Sequence, residues 1–250
     1  MVPGALVVLL LVSAGFAIFG ITRTWTRVAP WLRLMAQAPR CLAANVRPGL
    51  VRVDGVAQCK ETLTSPVHQA ACIGYSVKVE EMVGRGKKSK WITRHEESQI
   101  LPFEIVDPSG RAKVEVGPET ALEFVRERAV GQDLLNELPA HVETYARAHG
   151  AQLQGRIYRS TVRVREWRLD AGETCMVMGE GRREADPSEP ATGYREAPTI
   201  GVIAAGGQGL YVADRTGKVV RRDLRRRLAG SFALAIFPIA VLVFLVSAFR

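Results

Sequence analysis

Between residues 50 and 116 apolar and polar side chains alternate with a period of two, the pattern of half-buried strands. Val51 and Val53 alternate with polar neighbours as far as Gly55. From Cys72 onward, Ile73, Tyr75, Val77 and Val79 fall on one face, while Ser76, Lys78 and Glu80 fall on the other. Residues 84–90 carry too much glycine and charge for a strand and read as a hairpin tip, with 91–103 returning as the partner strand or strands. Asp107-Pro108-Ser109-Gly110 fits a type I turn, with proline at its second position and glycine at its fourth. Ala112, Val114 and Val116 then alternate with Lys113 and Glu115 in a short strand.

The period changes after Glu119. Pro139 suits the first turn of a helix reaching about Arg147, with Val142, Tyr145 and Ala146 on its apolar face and Gly150 at its end. Strands resume over 156–169 and 174–178. The polar segment 181–198, which holds Pro187, Pro190 and Pro198, reads as a long exposed loop. Residues 199–204 and 210–213 read as a last hairpin around Gly206 to Gly209. Short strands, glycine-rich turns and one interposed helix predict a β-rich α+β domain of barrel-like form, an oligonucleotide-barrel topology among the possibilities.

Two uncharged apolar runs flank this region, over 1–21 and 228–249. A bilayer core of about 30 Å needs roughly 20 helical residues, so each run is long enough to span. The fold class expected is a membrane protein with two transmembrane helices (1–21 and 228–249), a juxtamembrane segment (22–46) and a β-rich domain (47–227). Within 22–46, Trp31, Leu34, Met35 and Ala38 lie on one face of a short helix that Pro39 should interrupt. That helix fits a membrane surface and an ordinary packed connector equally well.

Charge then sets the expected orientation. Arg23, Arg27, Arg33 and Arg40 follow the first run, and a basic segment from Arg215 to Arg227 precedes the second. Basic flanks stay cytoplasmic, so a multi-pass integral membrane protein with a cytoplasmic middle domain and both termini opposite is the expected localisation. The net charge of +9 is mostly placed beside these runs. Arg221, Arg222, Arg225, Arg226 and Arg227 are the candidate contacts to a lipid bilayer with anionic headgroups, at about 1 kcal/mol each. A basic face interleaved with exposed aromatics is missing, so no nucleic-acid partner is expected.

Candidate chemistry is sparse. Cys41, Cys59, Cys72 and Cys175 form no C-x-x-C pair and read as small buried apolar side chains. His68, His95, His141 and His149 lack the i, i+4 partnering of a helical zinc site and read as solvated or capping groups. Ser65 with His68 is a conceivable nucleophile and base, but no G-x-S-x-G elbow surrounds the serine. Gly84-x-Gly86 and the Gly206–Gly209 stretch lack the spacing of a phosphate loop. No catalytic residue, cofactor or metal ligand is therefore assigned.

Gly55, Lys60-Glu61-Thr62-Leu63, Ser65-Pro66, Cys72, Trp91, Pro102-Phe103, Asp107 and Gly110 together resemble the GIDE domain of mulan-like E3 ubiquitin ligases. Leu169, Gly172 and Gly179 resemble a second strand pair of that family. The signature positions Leu63, Ser65, Pro66, Cys72, Trp91, Pro102, Phe103, Asp107 and Gly110 read as structural. The resemblance implies an E3 ubiquitin transferase, yet in that family the activity belongs to a RING after the second span, and here only Arg250 follows residue 249. The expected function is a scaffold, sensor or partner-recruiting module at a bilayer, binding a protein partner. The alternative is a ubiquitin-ligase component that needs a separate catalytic partner.

Overall fold

The computed structural model describes residues 22, 25–26, 28–84, 89–124, 127–131, 137–152, 161–186 and 198–230. The chain divides into two compact units, Met1–Ala38 with Gly217–Arg250, and Pro39–Thr216.

In the first unit, helix α1 covers 28–37 and stops before Pro39, which has no amide hydrogen to continue it. Trp31, Leu34, Met35 and Ala38 are buried, as the spacing of that face requires of a packed helix. In the same unit a further helix runs over 217–230 among the described residues.

In the second unit the strands are β1 (Gly49–Gln58), β2 (Leu63–Thr64), β3 (Ala71–Cys72), β4 (Gly74–Val83), β5 (Lys90–Ile100), β6 (Phe103–Asp107), β7 (Gly110–Glu115), β8 (Thr120–Glu123) and β9 (Glu127–Gly131). Helix α2 (Ala140–Ala148) follows, then β10 (Val162–Leu169), β11 (Thr174–Ala185), β12 (Thr199–Ala204) and β13 (Leu210–Ala213). The helix over 217–230 is α3 in chain order.

Five of these strands close on themselves. β1 pairs with β6, β6 with β7, β7 with β12, β12 with β11, and β11 returns to β1 over eight residue pairs from Gly49↔Gly181 to Val56↔Thr174. All pairings are antiparallel except β7 with β12. The result is a five-stranded barrel of the oligonucleotide-barrel type. Val53, Ile105, Val114, Val177, Ile203 and Val212 fill it, each without solvent exposure. A fully buried aliphatic side chain contributes about 1.5–3 kcal/mol, so this core carries most of the barrel's stability.

Two insertions leave the barrel and pair with each other. The chain between β1 and β6 supplies β4 and β5, and the chain between β7 and β11 supplies β9, α2 and β10. Together they form a four-stranded sheet in the order β5-β4-β10-β9. The sheet's Val77, Val79, Val162 and Val164 pack with Val142 and Ala146 of α2 in a second, smaller core.

Three expectations need correction. Among the described residues, no helix is long and apolar enough to cross a membrane. Helix α1 has ten described consecutive residues, and α3 carries Lys218, Arg221, Arg222, Asp223, Arg225, Arg226 and Arg227. The two-span fold class, the multi-pass integral membrane localisation and the orientation built on them are corrected accordingly. The runs that prompted them lie outside the described residues, apart from 228–230 at the end of α3.

The loop expected over 181–198 is partly strand, because β11 continues to Ala185 against β12. Arg182, Arg183 and Glu184 lie on the barrel's wet outer surface or its rim, where a strand can be almost wholly polar. Residues 187–197 lie outside the described residues, as do 85–88 of the expected hairpin tip. The last hairpin is also absent as such. β12 and β13 both run antiparallel to β11, at Glu180–Ala185 and then at Met176–Met178. They are one strand path interrupted by the loop that the Gly206↔Gly209 bridge closes.

Candidate functional site

On the four-stranded sheet, β5 lies at one end and among the described residues pairs only with β4. The register places His95 opposite Val79 and Glu97 opposite Val77. Since side chains alternate across a strand, His95 and Glu97 share the face that α2 covers. A register shift at Val79/Glu80 interrupts the ladder just beyond His95.

Helix α2 brings two more groups to this face. Tyr145 and His149 are four residues apart, hence on one side of the helix, and His149 is its C-cap. The Tyr145 hydroxyl donates to Glu97 Oε1 at 2.7 Å, and His95 Nε2 lies 3.3 Å from Glu97 Oε2. His149 Nδ1 lies 2.8 Å from the Tyr145 carbonyl oxygen. A carbonyl only accepts, so Nδ1 carries the hydrogen and Nε2 is left with its lone pair in the neutral ring. The His95 and His149 rings lie against each other, centroids 4.0 Å apart and planes tilted by 32°.

The electrostatics of this cluster follow from its partners. Burial pulls the Glu97 carboxyl upward, but hydrogen bonds from Tyr145 and His95 and the two nearby imidazoles outweigh it and hold the group below the usual glutamate value. The Tyr145 phenol moves the other way, raised first by burial and then by the Glu97 carboxylate it bonds. Tyr75 on β4 is raised by burial and by Glu97 as well, and its hydroxyl donates to Gln99 Oε1 at 3.1 Å.

The other two histidines serve the segment 65–70. Glu166 of β10 is wholly buried and accepts from the Val67 amide at 2.9 Å, with His68 Nδ1 2.9 Å from its second oxygen. His141 of α2 reaches the Val67 carbonyl at 2.8 Å. Ser65, also fully buried, accepts from the Ala70 amide at 3.3 Å through its hydroxyl. His68 thus has a carboxylate partner, while the Ser65 hydroxyl closes a turn.

The other signature positions are placed as follows. Leu63 pairs with Cys72 across β2 and β3, and Pro66 sits in the Ser65 turn. Burial, reinforced by Asp170 and Glu166, pushes the Cys72 thiol up to about 11. Trp91 lies under the Arg163 guanidinium, 4.1 Å from ring centre to Cζ. The Pro102 carbonyl accepts from the Cys59 thiol at 3.3 Å, and Phe103 is in the barrel core. Asp107 accepts from the Ala43 amide at 2.9 Å and from the Ser109 amide at 2.8 Å, and Gly110 pairs opposite it. Arg221, Arg222, Arg225, Arg226 and Arg227 are all exposed on α3, with Arg227 paired to Asp223 at 2.8 Å.

The structure therefore brings together His95, Glu97, Tyr145 and His149, of which the sequence reading places Tyr145 on the helix's apolar face, takes the two histidines as solvated or capping groups and does not single out Glu97. A signal was available: His95-x-Glu97 on one strand face and Tyr145-x-x-x-His149 on one helix face. The two spacings lie on separate elements, about fifty residues apart, so neither alone marks a site. Compared with known protein families, curated proteins and solved structures, the chain matches none. The GIDE and ubiquitin-ligase vocabulary accordingly finds no support there.

Proposed function

We propose that this chain is a partner-recruiting module that binds an extended protein segment by strand addition to β5. One observation carries this reading: among the described residues, β5 is an 11-residue strand at the end of its sheet. An edge of that length presents a row of backbone donors and acceptors, and main-chain pairing supplies affinity while alternate side chains supply selectivity. Lys90, Arg94 and Glu96 are exposed along it. Charges of both signs guard the edge against indiscriminate pairing, so a strand added there must match their pattern.

Binding is favoured over nucleophilic chemistry because the buried Ser65 hydroxyl is engaged in closing a turn and the two buried thiols are held protonated. Burial pushes the Cys175 thiol up to about 12, and the Cys72 thiol is likewise held protonated at neutral pH, which makes both poor nucleophiles. The test uses peptides selected from a random display library on the full chain, followed by amide hydrogen exchange with and without each peptide. Protection of alternate amides within residues 90–100 is the expected result. Protection confined to the barrel strands, or no selected peptide, would overturn the reading.

A further inference from the structure

We propose that His95, Glu97 and His149 form a binding site for one divalent transition-metal ion of the zinc class. This inference concerns the inner face of β5 and does not rest on strand addition at its edge.

The donor set comes first. Two imidazoles and one carboxylate are a combination that suits Zn²⁺, and three protein ligands leave a fourth position to water or an incoming group. One ligand atom from each residue can be chosen so that all three lie within 4.8 Å of one another. Zinc with bonds of 2.0–2.1 Å to tetrahedral ligands holds them about 3.4 Å apart. His95 and Glu97 already meet that spacing at 3.3 Å.

The surroundings are those of a metal site and not only of a polar patch. Metal-bound histidine commonly donates its other ring N–H to a carbonyl or carboxylate, which fixes the tautomer and aims the free nitrogen. His149 does this through Nδ1 to the Tyr145 carbonyl. Ligating carboxylates are oriented in turn by a hydrogen bond, and Tyr145 provides one to Glu97. The same residue thus supports two of the three ligands, one through its backbone and one through its side chain.

Access and placement agree with this assignment. The His95 and Glu97 side chains keep 28% and 34% of their surface in solvent, enough for an ion to enter. Both are on a strand and His149 caps a helix, so regular elements set the site, which gives better positional control than loops do. The two rings lie 4.0 Å apart, which places the two imidazole ligands side by side. The bound ion would tie the edge strand β5 to the C-terminal end of α2.

The experiment uses the full chain without an affinity tag, stripped of metal and titrated with Zn²⁺ and, for its optical spectrum, Co²⁺. One equivalent should bind, with a cobalt spectrum lacking thiolate charge transfer. His95→Ala and His149→Ala should each weaken binding at least about 100-fold, and Tyr145→Phe, acting on a ligand from outside, about 10-fold. Cys41→Ser with Cys59→Ser should leave binding unchanged. A readout on the unaltered protein guards against variants that misfold: zinc should shift the ring resonances of His95 and His149 but not those of His68 and His141. Binding that survives loss of both His95 and His149, a thiolate band, ring shifts at His68 and His141 instead, or no binding tighter than millimolar would each overturn the assignment.

Discussion

The barrel and the lobe inserted into it both have an aliphatic core, but they differ in what they bury beside it. The barrel is filled by aliphatic side chains and drawn tight by glycines. At Gly179 an added Cβ would stand 2.6 Å from the Ala204 carbonyl oxygen, and at Gly55 it would stand 2.5 Å from that of Val106. Of the buried polar and charged residues, Ser65, Glu80, Glu81 and Glu166 belong to the lobe and its attached turn, while Asp214 follows β13. Glu80 pairs with Arg163 at 2.7 Å, Glu81 with Arg94 at 2.9 Å. A buried ion pair adds little net stability, because desolvation offsets the attraction, but breaking one leaves a charge stranded. The barrel therefore rests chiefly on apolar packing, while the lobe adds buried, paired polar groups to a smaller apolar core.

The largest test of this contrast is Ile203→Ala in the barrel core. Removing a fully buried isoleucine should lower unfolding free energy by about 3–4 kcal/mol in a chemical denaturation experiment. A loss below about 1 kcal/mol would mean the barrel is not where stability resides. Next, Gly179→Ala should cost about 2 kcal/mol by overpacking against backbone that cannot yield. Gly207→Ala, whose Cβ would meet nothing within 4 Å, should stay within about 0.5 kcal/mol. Equal effects at the two glycines would break the argument that close backbone approach selects one of them.

In the lobe, Glu166→Gln should cost about 1–2 kcal/mol, because an amide accepts more weakly than a carboxylate from the Val67 amide and His68. Hydrogen exchange should accelerate at residues 65–70 while the barrel amides keep their protection. Acceleration throughout the barrel would show that the two regions are not separable.

The smallest effect sharpens the contrast from the barrel's side, at a polar turn on its surface. Burial raises the Asp107 carboxyl, but the hydrogen bonds from Ser109, Ala43 and Gly110 outweigh it and hold the group below the usual aspartate value. A folded-state value below the unfolded one gives stability that is fully present above the ordinary aspartate range and is lost as pH falls through the folded value. Asp107→Asn should therefore cost about 1 kcal/mol at neutral pH. The difference from the unaltered protein should close under acid. A gap that persists at a pH where Asp107 is protonated in both the folded and the unfolded state would show that charge is not the cause.

Local pattern made much of the fold legible. The two-residue period placed β4 and β7, the Asp107 to Gly110 turn lies between β6 and β7, and Pro139 with Gly150 framed α2. It failed where polarity has a tertiary cause. Arg182 to Glu184 are polar because they lie at the barrel's wet outer surface, and local reading turned that stretch into a loop. Gly55 looked like the end of a strand, yet it sits within β1 because β6 passes too close for a side chain. Membrane spans were inferred from two uncharged runs, and the described helices do not bear them out.

By itself, then, the sequence determined the local elements: period, turn chemistry and proline placement act over a few residues and need no partner. What only the tertiary structure decided was adjacency. Barrel closure depends on β11 meeting β1, more than a hundred residues apart in the chain, and no local propensity encodes that pairing. The cluster of His95, Glu97, Tyr145 and His149 has the same origin. Each pair lies on one element at a legible spacing, but a strand and a helix must pack face to face before four ordinary side chains become one site.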